Sequence, residues 1–309
     1  MRPGRLLRSG RIDAPLLSEP EVAELLTAAA MPRSVDRRRP PRAGRPGEQL
    51  SPRRGEGTDF AETRGYQPGD DPRRIDWRAT ARSRIPLVRS FHAAFDRKSC
   101  IVVDRRAGMR FGTRVRLKVT QAVRMALWLA GVEARRGGEF AGVLLDEPCH
   151  WLPPARGARG LRRLIARAIA PCPPRQPGPG EPAWNKILAS LRRRLPPGSA
   201  LTIISDFAGL GVDDLMLLRA LGRHAECHAI RIVDALERDG PPAVPLVLFW
   251  DGQRRAIDPE DRSGVAALSY RRQAWEDFLA AEFRRAGFSY RTLAVDADSP
   301  QALRAAATP

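Results

Sequence analysis

Lysine is nearly absent from this chain of 309 residues: only Lys98, Lys118 and Lys186 occur, while Lys and Arg together number 53. The formal charge of +18 is therefore carried almost wholly by arginine. Arginine, alanine, glycine and proline rise together, which reads as a genome-wide composition bias, so the charge alone does not name a ligand. It keeps open one alternative, a module that binds polyanions. Aromatic residues make up only 6%, and they do not interleave with basic ones as in single-strand binders. No recognition-helix or zinc-finger pattern is present, so nucleic acid is not the expected partner.

Other motifs are missing too. Cys100, Cys149, Cys172 and Cys227 form no C-x-x-C pair, and reduced thiols are the simplest expectation. His224-x-x-Cys227-His228 falls where a strand should begin and has no fourth ligand near it, so no zinc site is expected. No apolar run approaches the roughly 18 residues of a membrane span. Residues 1–17 are basic but lack an apolar block followed by a small-residue cleavage site, so no secretion signal is expected. The expected location is cytoplasmic, without membrane insertion. There is no G-x-x-x-x-G-K-[ST], so the chain is not expected to be an ATPase itself.

What is present is an alternation of strands and helices. At 43% hydrophobic the chain can build a core. Val22, Leu25, Leu26 and Ala29 line one helical face over Glu19–Ala30, which is expected to latch onto the main domain. Residues 31–54 are rich in Arg, Pro and Gly and read as a basic linker. Residues 99–104 and 200–207 are nearly continuous apolar runs, as in strands buried on both faces. Residues 113–136, 161–169, 184–195, 212–224, 263–286 and 300–307 read as helices. Strands are expected at 140–145, 227–233, 244–250 and 290–295, with 149–152 as a hairpin return. Residues 87–95 are expected to pair with 99–104 through a turn at 96–98. The class is α/β, a mostly parallel sheet flanked by helices, with an N-terminal helix and arm and a hairpin/loop insertion. Three regions are expected: 1–54, 55–98 and 99–309.

Residues 55–91 pack turn signals, carboxylates and arginines most densely. Pro68-Gly69 marks a turn, and Asp71-Pro72 reads as a helix start. Asp70, Asp71 and Asp76 stand among Arg64, Arg73, Arg74, Arg78 and Arg82. Such residues either brace a long loop through Asp–Arg forks or present spare guanidiniums to a partner. The docking positions are then Arg64, Tyr66, Asp70, Asp71, Arg74, Asp76, Trp77 and Arg82. No His, Ser or Cys nucleophile stands near these carboxylates in sequence. A metal-dependent hydrolase built on Asp70, Asp71, Asp76 and Asp104 remains an alternative.

This segment resembles the signature of the DUF58 family. The matching residues are Gly57-Thr58-Asp59-Phe60-Ala61-Glu62, Arg64, Tyr66, Pro68-Gly69-Asp70-Asp71, Arg74-Ile75-Asp76-Trp77, Thr80-Ala81-Arg82 and Val88-Arg89. The resemblance runs from about Ala43 onward. It implies a von Willebrand factor A-like (Rossmann-like) domain and a non-enzymatic adaptor role. The implied partners are a MoxR-type AAA+ ATPase and an unknown client whose assembly or maturation it serves.

The resemblance also implies where a metal-ion-dependent adhesion site would sit. Its pattern is Asp-x-Ser-x-Ser after the first strand, a Thr from a later loop and an Asp after a central strand. Here Asp104 and Asp206 match the aspartates, Arg106 and Gly108 occupy the serine positions, and no Thr is securely placed in the loop 171–180. Mg²⁺ wants hard oxygens in an octahedron; two are lost and a cation is gained. The site is therefore expected to be degenerate, with no Mg²⁺ and no cofactor. Arg106 then either neutralises the two carboxylates or takes a partner's Asp or Glu in place of the ion.

Overall fold

The computed structural model describes residues 14–30, 59–66, 75–83, 85–92, 98–113, 115–240, 246–250, 253–257 and 261–308. They fall into two units, residues 32–96 and the remainder of the chain. Helix α1 (Glu19–Ala30) belongs to the larger unit.

In the smaller unit β1 (Asp59–Gly65) pairs antiparallel with β2 (Leu87–His92), with a bulge between Phe60 and Glu62. The one-turn helix α2 (Trp77–Thr80) starts where the Asp76 carboxylate accepts from Arg78 N at 3.1 Å and Ala79 N at 3.0 Å. That is an N-cap, which satisfies donors the helix cannot satisfy itself. The helix start expected at Asp71-Pro72 lies outside the described residues.

The larger unit is built on one six-stranded sheet. Its first strand is β3 (Ser99–Asp104), followed by α3 (Lys118–Arg135), β4 (Glu139–Leu145) and β5 (His150–Arg156). Helices α4 (Gly157–Ala168) and α5 (Trp184–Arg194) lead to β6 (Ala200–Ser205) and α6 (Leu215–Gly222). Then come β7 (Glu226–Val233), the short α7 (Ala235–Asp239), and a separate hairpin of β8 (Leu246–Trp250) with β9 (Gln253–Ile257). The long α8 (Arg262–Arg285), β10 (Ser289–Ala294) and α9 (Pro300–Ala307) close the chain.

The sheet order is β10-β7-β6-β3-β4-β5, and all neighbours are parallel except β4 and β5. This is the mostly parallel α/β sheet expected from sequence. Two pairings differ from expectation. β2 does not form a hairpin with β3, because β3 is bonded on both edges by the parallel β4 and β6 and has no edge left. The strand near 244–250 does not join the main sheet; it pairs with β9, whose polar run Gln253-Arg254-Arg255 hid it. β5 carries Pro153-Pro154, tolerable because an edge strand can lose ladder donors.

Both faces of the sheet are covered, so its strands are apolar without alternation. Ile101 and Val103 pack with α1, α3, α4 and α9 on one face. Cys100 and Val102 pack with α5, α6 and α8 on the other. α1 lays Val22, Leu25 and Ala29 into the first of these clusters, which is the latch its periodicity suggests. Gly131 of α3 permits that approach: a Cβ there would stand 3.0 Å from Leu26 and 3.2 Å from Ala29.

Candidate functional site

The chain enters the sheet at β3, grows to β4 and β5 on one side, then returns to β6 on the other. Ligand crevices of open α/β sheets lie at the carboxyl ends of strands where the winding reverses. Here that place is the gap between the ends of β3 and β6, and each strand delivers an aspartate to it. Asp104 is fully buried and Asp206 is nearly so.

Asp104 is saturated from within. Its Oδ1 accepts from Arg106 N and Arg106 Nε, both at 3.0 Å. Its Oδ2 accepts from Arg106 Nη2 at 2.7 Å and Ser205 Oγ at 2.6 Å. Four donors fill about the four acceptor positions a carboxylate has. Arg106 is also held by groups other than the carboxylate: its guanidinium lies 4.5 Å over the Trp184 ring, and Nη1 donates to Pro182 O at 3.4 Å. Burial works against the charge of Arg106, but Asp104, with Asp206 and Glu181 adding to it, holds the group above its ordinary pKa. Gly108 lies on the 3₁₀ turn Ala107–Met109, and a Cβ there would stand 3.5 Å from Asp206 Oδ2.

Asp206 has a cation of its own. Lys118 Nζ donates to Asp206 Oδ2 at 2.6 Å and to Glu237 Oε1 at 2.9 Å. Burial alone would push Asp206 up, yet Lys118 holds it below its ordinary value; burial alone would push Lys118 down, yet Asp206 and Glu237 hold it above. The other oxygen, Oδ1, accepts from Ala208 N at 2.9 Å. Between the two, Phe207 takes φ 59, a conformation that costs a bulky side chain about 1–3 kcal/mol. Its ring, wedged between Trp184 at 5.7 Å and Phe283 at 4.6 Å, anchors the turn. At this turn the Asp206 carboxylate meets Lys118 while the Phe207 ring is buried.

A family model described as "Protein of unknown function DUF58" matches residues 62–274. The chain belongs to the DUF58 family. Two curated relatives are the uncharacterized proteins Rv1480 of Mycobacterium tuberculosis and Mb1516 of Mycobacterium bovis. Each is 31% identical over 256 residues, covering 82% of this chain and 79% of the relative. Among solved structures, BatB from Bacteroides thetaiotaomicron is 14% identical with a TM-score of 0.43, covering 68% of this chain and 94% of that one. The SpRpn10 VWA domain is 7% identical with a TM-score of 0.36, covering 67% and 93%. A von Willebrand factor type A structure from Catenulispora acidiphila is 14% identical with a TM-score of 0.30, covering 65% and 44%. The architecture rests on sheet order and register, independently of these distant likenesses.

Around the crevice, this DUF58 chain clamps its Pro/Gly-rich loop with ion pairs. Arg105 Nε and Arg110 Nη2 reach Asp146 at 3.1 and 2.7 Å. Arg105 also caps the end of α4, donating to the carbonyls of Arg167 at 3.0 Å and Ala170 at 3.2 Å. Arg175 bridges Glu147 at 2.5 Å and Glu181 at 2.9 Å, and Glu181 accepts from Ala107 N at 2.8 Å. The loop that would carry a metal-binding Thr is thus bound through carboxylates to the arginines after β3.

The sequence-expected residues divide between the units. Asp104, Arg106, Gly108 and Asp206 gather in the crevice. Arg64, Tyr66, Asp76, Trp77 and Arg82 lie in the smaller unit; Asp70, Asp71 and Arg74 lie outside the described residues. Arg64 stands in β1 opposite Val88. Tyr66 is at the edge of exposure and Trp77 is 69% exposed. Lys118, the partner of Asp206, was not singled out as a site residue. Its signal was a rare lysine at the first position of a helix, where the dipole disfavours a cation. Among the described residues no three His, Cys, Asp or Glu gather as a metal site, and no helix is long and apolar enough to cross a membrane.

Proposed function

We propose that this DUF58 chain is a non-enzymatic protein-interaction module that docks without a metal ion. It works as an adaptor between a MoxR-type AAA+ ATPase and a client complex in assembly or maturation. One observation carries the metal-free part: Asp104 is paired to Arg106 and Asp206 to Lys118, so the two carboxylates a divalent ion needs already hold internal cations. The ATPase partner comes from the family resemblance. Exposed Tyr66 and Trp77 offer aromatic anchors of the kind that dominate interface energetics; Arg64, Asp70, Asp71, Arg74 and Arg82 belong to the same sequence signature. A cytoplasmic setting fits four free cysteines.

Co-elution and titration calorimetry with a nucleotide-free MoxR-type ATPase, in Mg²⁺ and in EDTA, test the proposal. A saturable complex of equal affinity in both buffers is expected, weakened at least tenfold by Trp77→Ala. Loss of the complex in EDTA would end the metal-free reading, and absence of any complex would end the adaptor reading.

A further inference from the structure

We infer that a second cleft, at the carboxyl ends of β7 and β10, binds a small organic anion bearing a carboxylate or a phosphate ester. The cleft has a volume of about 310 Å³ and lies between these strand ends, α7 and α8. That is within the range of small-molecule sites, about 300–1,000 Å³. Val233 and Ala294 give it an apolar floor, since they are register partners at the strand ends. Arg231 and Thr292 are partners two residues earlier and line it too.

The case rests on which polar groups still have capacity. Both carboxylates of the cleft are occupied. Glu237 accepts from Lys118 Nζ at 2.9 Å and from Asp234 N at 3.1 Å. Glu276 accepts from Arg231 Nη1 and from Tyr290 OH at 3.0 Å. What remains is donor-rich. Arg231 is 5% exposed, and its buried Nε has no hydrogen-bond partner. Arg272 lines the cleft from α8, and its side chain makes no hydrogen bond or ion pair among the described residues. The Thr292 hydroxyl is likewise uncommitted. A buried guanidinium N–H without a partner costs free energy, and two guanidiniums in one cleft match the forked geometry of a carboxylate or phosphate. The apolar floor meets the carbon part of such a ligand.

Titration calorimetry of the full chain with succinate and, separately, glycerol 3-phosphate, at constant ionic strength, tests this. Saturable binding of at least one probe with one site per chain is expected, and the better probe names the oxyanion class. Arg272→Ala should weaken it about tenfold or more, since a charge-assisted hydrogen bond to the anion is lost. Its thermal midpoint should not move, because Arg272 has no internal partner to lose. Arg159→Ala, on the exposed face of α4, should leave binding unchanged. Failure of both probes to bind, or equal weakening by Arg159→Ala through general charge, overturns the inference.

Discussion

Lys118 Nζ lies 2.6 Å from Asp206 Oδ2, and both side chains are almost fully buried. Lys118 is the first residue of α3, where the helix dipole repels a cation. Two carboxylates, from the end of β6 and from α7, overcome that repulsion and the cost of burial. The lysine thus fastens α3 and α7 to the same strand end.

Removing one partner of a buried pair strands the other charge. Lys118→Met should lower unfolding free energy by about 3–5 kcal/mol. Lys118→Met with Asp206→Asn should recover much of that loss, because Asn keeps the bond from Ala208 N. Urea denaturation of the two singles and the double closes the cycle; strict additivity would deny the coupling.

The same pair sets an acid response. Asp206 has its pKa held below the ordinary aspartate value of 3.8, so it contributes stability above that pH. The contribution is lost as pH falls through the lower folded value, where the native carboxylate is protonated. Lys118 is the mirror case: raised above 10.5, it contributes below that pH and loses it as pH climbs past the folded value. In Asp206→Asn, the slope of stability against pH below about pH 4 should be shallower than in wild type. Equal slopes would remove Asp206 from the account.

The buried thiols should be inert in the folded chain. Burial pushes Cys100 and Cys227 each up to about 12, so almost no thiolate exists at neutral pH. Cys149 is only half-buried, and burial raises its thiol as well. A disulfide reagent at pH 8 should modify Cys149 first, and Cys100 and Cys227 only on unfolding. Fast labelling of Cys100 would mean that β3 opens readily.

Much of the fold was legible because its physics is local. Buried strands such as 99–104 are apolar without alternation, and Gly137 ends α3 with φ 70, where glycine is at ease. Aspartates closing two apolar strands were visible as the Asp104 and Asp206 edge. What the sequence hid depends on contacts far apart in the chain. Lys118 finds Asp206 across 88 positions, and Arg110 finds Pro173 O across 63. β9 was hidden for another reason: Gln253-Arg254-Arg255 shows no apolar alternation with a period of two.

Restoring serines should not be enough to rebuild a metal site. In Arg106→Ser with Gly108→Ser, Asp104 is released but Lys118 still holds Asp206. This double variant should gain no thermal stabilisation from millimolar Mg²⁺, whereas adding Lys118→Ala should create a measurable shift. Stabilisation of the double variant alone would show that Lys118 yields easily.

Manganese titration of the wild-type chain, followed by electron paramagnetic resonance, reaches the centre of the matter. With Arg106 and Lys118 seated on the two aspartates, no stoichiometric Mn²⁺ site should appear below millimolar concentration. One tight ion per chain, abolished by Asp104→Asn or Asp206→Asn, would mean that the internal cations give way and that the crevice is a metal site after all.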